Sequence, residues 1–322
     1  MKLPSASGTP YAQPKLEASG MDGQTVGVVG LGLMGGAMAR RLITCGFSVV
    51  GYDIVPDRLK AAVVDGVRPA TSPADLATQA GTVILSVTST PDVAAVVAGE
   101  NGLCEPARIG ANVVIDTSTT EIGATHEIAA HLRDRKGVPF VDAPVSGGPA
   151  ACDTGTLAIM AGGSVGGFAA AEPVLKHLGT TTHMGETGAG QATKLINQTL
   201  VLNNFVVIAE ALRLAEAYGV DAQKVPTALA SGHAGSNLLP VLFDRMIARD
   251  WTPTGYARQI LKDLEMVGAA AKAEGLATPM TAQATTLFRM LVGGGQGEQD
   301  GAAVLDLLPE ATAQKNATPE DQ

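Results

Sequence analysis

The 322-residue sequence predicts an α/β domain built on a parallel sheet, then an all-α domain, with one long helix shared between them. Three observations carry that expectation. Short Val- and Ile-rich runs alternate with helical stretches over the first half of the chain, the pattern of strands covered on both faces by crossover helices. The second half shows a succession of helical patterns and no strand run of comparable quality. Between the halves, residues 189–218 read as one helix ending at Gly219, a residue suited to the position just past a helix end. At about 1.5 Å per residue that helix spans roughly 45 Å, more than a single small domain needs.

In chain order, the expected strands are residues 25–29 (TVGVV), 48–52 (SVVGY), 82–87 (TVILSV), 112–115 (NVVI) and 139–143, the last clear strand. Helices are expected over 34–44, 56–64 with Pro56 at its start, 91–98 and 121–136. After the long helix come 221–231, 238–249, 254–274 and 278–292. Leu195, Leu200, Leu202, Phe205, Val206, Ile208 and Leu212 place apolar groups around much of the long helix, so burial on several sides is expected, as the spine between two domains or at a subunit interface. Residues 1–22, rich in Pro, Ser, Ala and Gly and lacking an apolar signal-like core, read as a disordered extension. The expected domains are then 23–186 and 187–309, with a polar, frayed tail over 310–322.

Composition narrows the function. Hydrophobic residues make up 46% and charged residues 16%, enough for a sizeable core and against global disorder. Aromatics are only 3% while Gly numbers 39, so the core is expected to pack small residues closely. A net charge of −9 disfavours nucleic acid, whose phosphates are bound by Lys and Arg, and an anionic membrane surface. No apolar run is read as reaching the roughly 18 residues of a membrane span. Cys45, Cys104 and Cys152 are scattered and odd in number, without disulfide or metal spacing, which suits a reducing, cytoplasmic setting. The five histidines do not pair with Cys or acids at metal spacing, so no metal is expected, and no Gly-x-Ser-x-Gly elbow suggests a hydrolase.

Gly30-Leu31-Gly32-Leu33-Met34-Gly35 fits G-x-G-x-x-G and sits where that motif must, after a strand and at the opening of a helix. Gly30 is expected to make the tight turn, Gly32 to let backbone approach a pyrophosphate, and Gly35 to let helix pack on strand, while the helix N-terminus offers free N–H groups to the phosphates. Asp53 ends the second strand, 18 residues past Gly35. There a carboxylate accepts hydrogen bonds from a ribose 2′-hydroxyl and repels a 2′-phosphate, favouring NAD over NADP, a preference that nearby Arg58 softens. The first domain is thus expected to be a Rossmann fold.

From these residues onward the chain resembles the β-hydroxyacid dehydrogenases, the family of 3-hydroxyisobutyrate dehydrogenase, tartronate semialdehyde reductase and, more distantly, 6-phosphogluconate dehydrogenase. The resemblance opens with residues 28–39 (VVGLGLMGGAMA) and runs from Thr25 to Leu308. Three later motifs carry it in order: 142–148 (DAPVSGG), 188–198 (GAGQATKLINQ) and 262–264 (KDL). Ser146, Gly147 and Gly148 follow a strand at its carboxyl end, where open α/β sheets bind ligands, and two glycines there expose N–H groups that suit a substrate carboxylate. Lys194, Asn197 and Gln198 fall at i, i+3 and i+4, on one helix face.

A reaction that moves hydride at a carbon bearing oxygen needs a partner for the hydroxyl proton, and a lysine serves if burial and positive neighbours lower its pKa. The resemblance implies that Lys194 is this acid/base and Asn197 a substrate hydrogen-bond donor. It also implies that Lys262 reaches over the cofactor and that Thr119 lies beside the nicotinamide. Ser86-Val87-Thr88 stands where many members read Met-Leu-Pro, with Thr88 in the place of a cofactor contact, and Asp263 is expected to fix local geometry. Asn197-Gln198 and the stretch 234–238 (AGSNL) lean toward the tartronate semialdehyde branch. The implied activity is NAD-dependent interconversion of a small carboxylate-bearing β-hydroxy acid and its semialdehyde or keto form, in a homodimer or homotetramer. The rivals are an imine reductase of the same fold, typically lacking this lysine, and an NAD-binding protein without turnover.

Overall fold

The structure, a computed structural model, describes residues 24–310. The expected N-terminal extension and nearly all of the C-terminal tail lie outside the described residues.

The first lobe alternates strand and helix: β1 (Thr25–Val29), α1 (Leu33–Thr44), β2 (Ser48–Tyr52), α2 (Pro56–Val64), β3 (Arg68–Pro69), α3 (Pro73–Gln79), β4 (Thr82–Leu85), α4 (Thr90–Ala98), β5 (Val113–Asp116), α5 (Ile122–Lys136) and β6 (Phe140–Asp142). It continues through β7 (Val145–Ser146), α6 (Gly148–Thr154), β8 (Leu157–Gly162), α7 (Val165–Leu175) and β9 (Gly179–Gly185). The first six strands are parallel, in the spatial order β3-β2-β1-β4-β5-β6. That order is the doubly wound Rossmann arrangement, with the chain reversing its direction of travel between β1 and β4 and leaving a crevice at their carboxyl ends.

Alternation along the strands builds two cores. Val26 and Val28 of β1, Ile84 of β4 and Val113 and Ile115 of β5 pack with Met38 and Leu42 of α1 and Val174 and Leu175 of α7. Their neighbours Val29, Val83, Leu85 and Val114 turn to the other face, against Leu76, Val93, Val97 and Leu132 of α3, α4 and α5. Helix starts are marked by local chemistry: Ser72, Ser89 and Ser164 accept hydrogen bonds from the N–H of Asp75, Asp92 and Gly167. Helix α5 stops where Gly137 turns left-handed at φ 69°.

The sheet does not end at β6. Strand β8 pairs antiparallel with β6 and β7, and β9 runs parallel beside β8. The expectation that residues 139–143 form the last clear strand is corrected here. Strand β8 reads LAIMAG, a short apolar run with no polar alternation to separate strand from helix, and β9 reads GTTTHMG with Met184 its one large apolar side chain, so neither shows a hydrophobic strand pattern.

The second lobe is helical: α8 (Ala189–Ala217), α9 (Val225–Leu229), α10 (Leu238–Ala248), α11 (Ala257–Ala273) and α12 (Pro279–Leu291), closed by a 3-10 segment over Gly301–Leu307. The expected helix 221–231 is broken, a 3-10 turn at Ala222–Lys224 preceding the short α9. The N-terminal part of α8 packs on the sheet and its remainder on α10, α11 and α12. Leu202, Leu212, Phe243, Leu264, Phe288 and Val304 form the centre of this lobe.

Burial of α8 is less complete than expected. Ile196, Leu200, Val207 and Leu214 are 63%, 65%, 47% and 60% exposed. At 100° per residue these four fall within about 40° of one another and form a single apolar stripe. No continuous apolar run in α8 approaches the length of a membrane span, although by length and composition alone, with a mean hydropathy of 1.4, the helix is long and apolar enough to cross a membrane. Lys194, Asn197, Gln198, Asn203 and Asn204 interrupt every continuous apolar run, but the surrounding Leu, Val and Ile dominate the average.

Candidate active site

The glycine loop occupies the crevice between β1 and β4. Gly30 sits at φ 88°, a conformation that suits glycine, and a Cβ there would meet the Ser86 carbonyl at 2.3 Å. A Cβ on Gly35 would meet the Gly30 carbonyl at 1.8 Å, so α1 can start against the turn only with glycine at that position. At Gly32 the nearest atom to a Cβ is 3.9 Å away, on the Arg58 guanidinium. The loop is therefore closed on the protein side and open above Gly32. Gly32 is also the N-cap of α1 and contributes no side-chain cap, leaving first-turn N–H groups to an outside acceptor. Leu31 is buried, whereas Leu33 and half-buried Met34 border the open side. This cradle fits a dinucleotide pyrophosphate.

Asp53 follows β2 with its side chain 3% exposed. Its Oδ2 accepts from the Leu31 N–H at 2.7 Å and its Oδ1 from the Val55 N–H at 2.8 Å, while Arg58 Nη1 stands 3.9 Å from Oδ1. The carboxylate thus braces the phosphate loop, a role the sequence did not announce. Each oxygen keeps lone-pair capacity for a further donor.

Lys194, on the second turn of α8, is 8% exposed, and its Nζ donates to the Val145 carbonyl at 2.7 Å. Burial pulls the amine down to about 8; Asp263 opposes that shift and Lys262 adds to it. Val145 leads directly into Ser146, Gly147 and Gly148. Gly147 and Gly148 adopt φ 130° and 72°, backbone that L side chains rarely take, and Ser146 and Gly148 are half-buried. Asn197 donates to Gln198 Oε1 at 2.9 Å, and Gln198 donates through Nε2 to Asp263 Oδ2 at 2.5 Å. Asp263 also pairs with Lys262 at 3.0 Å, so it does fix local geometry.

Lys262 reaches from α11 across to the first lobe, where its Nζ donates to the Thr119 carbonyl at 3.1 Å. Thr119 lies in the loop after β5, and Thr88, exposed, lies in the loop after β4. The structure therefore places the predicted residues at the carboxyl ends of β1, β2, β4 and β5, at β7 and the turn after it, and on α8 and α11. The 234–238 stretch lies apart from these hydrogen bonds and helps line a cavity of about 500 Å³ with Pro226, Thr227 and Pro240.

Sequence reasoning quoted Asp142 and Gln191 inside motifs but gave them no part. Both are fully buried. Asp142 accepts from the N–H groups of Gly188 and Gln191, and the Gln191 side chain donates to the Ser118 carbonyl and accepts from the Thr120 N–H. The available signal was a carboxylate at a strand end, and a glutamine three residues ahead of Lys194 on a helix start otherwise made of small residues.

The arrangement of a Rossmann-like lobe followed by a helical lobe is shared with known proteins. Residues 25–186 match the NAD binding domain of 6-phosphogluconate dehydrogenase, and residues 188–308 match the NAD-binding domain of NADP-dependent 3-hydroxyisobutyrate dehydrogenase. The chain belongs to the β-hydroxyacid dehydrogenase family. Among relatives within this family, the Arabidopsis thaliana protein named probable 3-hydroxyisobutyrate dehydrogenase-like 3, mitochondrial, is 37% identical, over 88% of this chain and 86% of its own. The 2-hydroxy-3-oxopropionate reductase of Escherichia coli is 34% identical, over 88% of this chain and 96% of its own. A crystal structure of 3-hydroxyisobutyrate dehydrogenase from Salmonella typhimurium superposes with a TM-score of 0.79 at 28% identity, covering 88% and 99% of the two chains. An imine reductase from Pseudomonas shares the fold, with a TM-score of 0.58 at 22% identity over 89% of this chain and 100% of its own. For a β-hydroxyacid dehydrogenase the coarse activity is oxidoreduction at a carbon bearing a hydroxyl, with NAD or NADP as partner.

Proposed function

We propose that this family member is an NAD-dependent dehydrogenase that interconverts a small β-hydroxy acid and its semialdehyde or keto form, with Lys194 as the general acid/base. The observation that carries the reading is the buried Lys194 amine, 2.7 Å from the carbonyl that opens the Ser146-Gly147-Gly148 turn. A lysine titrating near 8 is mostly ammonium at neutral pH but keeps a neutral fraction far larger than an ordinary lysine, so it can take the hydroxyl proton in oxidation and return it in reduction. Ser146 and the N–H groups of Gly147 and Gly148 hold the substrate carboxylate, and Asn197 donates to the substrate oxygen.

Gly30, Gly32 and Gly35, with Leu31, Leu33 and Met34, form the phosphate cradle, while Asp53 turns its remaining acceptor capacity to the adenosine ribose and disfavours a 2′-phosphate. Thr88, Thr119 and Lys262 border the nicotinamide side. The bound nicotinamide ring supplies the hydride acceptor or donor. The closure made by Lys262 and Thr119 excludes water from the lysine.

An NAD-coupled screen of 3-hydroxyisobutyrate, glycerate, threonate, serine and 3-hydroxypropionate, run beside cyclic imines, tests the assignment. Turnover of a hydroxy acid supports it. Turnover of imines alone favours the imine reductase reading, and dinucleotide binding without any turnover favours a silent binding protein. The tartronate semialdehyde branch predicts glycerate as the preferred hydroxy acid. The protein is proposed to act in the cytoplasm as a homodimer or homotetramer, with the Ile196, Leu200, Val207 and Leu214 stripe of α8 buried against a second copy. Sedimentation of Leu200→Glu, expected to be monomeric where the parent is not, tests the interface.

A further inference from the structure

Asp142 stands behind the cleft and holds the helix that enters it. Its side chain is fully buried at the end of β6. Oδ1 accepts from the Gly188 N–H at 2.8 Å and Oδ2 from the Gln191 N–H at 2.9 Å. A helix N-terminus needs acceptors for its free N–H groups and favours a negative charge there. Gly188, the N-cap of α8, has no side chain to offer, so the acceptor comes from the sheet, 46 to 49 residues away in sequence. A local cap decides whether a helix starts. This cap also decides where the helix stands on the sheet.

The approach requires bare backbone on both sides. A Cβ on Gly190 would meet the Asp142 carbonyl at 2.2 Å and the Met160 carbonyl at 2.5 Å. A Cβ on Gly162 would meet the Gly190 nitrogen at 2.6 Å and Asp142 Oδ1 at 2.8 Å. The segment that begins at Asp142 also receives the amine: Val145, three residues on, accepts from Lys194, itself three residues on from Gln191. One turn of α8 is thereby tied at two points to one short segment, and that segment runs into the Ser146-Gly147-Gly148 turn.

We infer that Asp142 is a positioning residue for Lys194: by capping α8 from the sheet, it sets the depth at which the amine enters the cleft and its place beside the turn that follows. The inference rests on the reading of Lys194 as the proton-transfer group. The charged groups bearing on the amine are Asp263 and Lys262 of α11. On the sheet side, the ionisable groups are Asp142 itself and Asp116, its register partner on β5.

The test is a titration of the Lys194 amine, followed through the 13Cε shift of labelled lysine and assigned by its loss in Lys194→Ala. It is run on the parent, Asp142→Asn and Gly162→Ala. Asp142→Asn keeps the shape but places an amide where one N–H needs an acceptor; Gly162→Ala keeps the carboxylate and forces helix and strand apart. A released helix lets the amine reach water, so its midpoint should rise by about one pH unit or more toward the ordinary lysine value of about 10.4. The same variants should lose at least about tenfold in kcat per folded molecule while KM for the dinucleotide stays within about twofold.

An unchanged lysine midpoint in a folded variant overturns the proposal, however much heat stability has fallen, because a merely structural role lowers the melting temperature without moving this amine. If Asp142→Asn does not fold, Gly162→Ala decides by the same readout. If Lys194→Ala retains turnover, the acid/base reading fails while the titration still shows whether Asp142 places the amine.

Discussion

Lys194 and Val145, 49 residues apart in the chain, are joined by a hydrogen bond of 2.7 Å from amine to carbonyl. The contact seats a buried lysine beside the turn at Ser146-Gly147-Gly148, so the proposed proton-transfer group and the backbone N–H groups proposed to hold an anion are placed by the same segment.

Removing the amine should remove the chemistry. Lys194→Ala is expected to lose about 10²- to 10⁴-fold in kcat, the range for a general acid/base, while dinucleotide affinity stays close to that of the parent. The pH profile has opposite signs in the two directions. Oxidation needs the neutral amine, so its rate should rise through about 8; reduction needs the ammonium and should fall through about 8. Steady-state kinetics in both directions check both signs.

Cofactor preference should follow Asp53. Asp53→Asn keeps an acceptor for the Leu31 N–H but removes the charge that opposes a 2′-phosphate, with Arg58 3.9 Å away to receive it. The ratio of kcat/KM for NAD to that for NADP is expected to fall by about tenfold or more, equivalent to about 1.4 kcal/mol. An unchanged ratio counts against the ribose role.

Gly35→Ala should abolish dinucleotide binding while leaving the helical lobe folded. Its Cβ would lie 1.8 Å from the Gly30 carbonyl, so α1 must move off the turn and carry its N–H groups with it. Titration calorimetry reads the binding, and circular dichroism reads the retained helix.

Acid stability should respond to His177. The ring is 8% exposed, meets Phe47 edge-on, and neither ring nitrogen has a hydrogen-bond partner among the described residues. Burial, then Lys176 and Arg41, hold its pKa below the ordinary 6.5. Stability linked to this group is complete above 6.5 and is lost as pH falls through the folded-state value. His177→Leu should remove that acid slope and leave stability near neutral pH unchanged or up by about 1 kcal/mol, since no buried nitrogen is left unpaired.

Asp116 has the opposite sign. Burial pushes it up to about 7, so its contribution is full below the ordinary 3.8 and is lost as pH rises through about 7. Asp116→Asn should flatten that side of the profile, and urea unfolding at pH 5, 6.5 and 8 checks both variants.

The local pattern was enough for β1, β2, β4, β5 and for α1, α2 and α4, because β-branched runs bounded by Gly and Pro set both period and boundary, but it did not reveal the two-residue β3 or the short α3 that lie between β2 and β4. It was also enough for the glycine cradle and for the order of the later motifs. It failed at β8 and β9, the first a short apolar run and the second threonine-rich, which are extended as strands where β6 and β7 offer β8 an edge and β8 in turn offers one to β9. It overstated the burial of α8 within one chain, since an apolar residue on a helix does not say what covers it.

What the residue order determined by itself was the inventory: a turn that only glycines can make, a carboxylate after the second strand, and a lysine one turn into a long helix. What only the folded chain decided was the environment that gives those residues their properties. Asp53 became a brace for the loop, Asp142 a cap for a distant helix, and Gly162 and Gly190 the bare backbone that lets sheet and helix meet. The physical reason is distance. Turn and helix preferences act over a few residues and are written locally, whereas burial, capping across 46 residues and the desolvation that brings a lysine to about 8 exist only once segments far apart in sequence exclude water together.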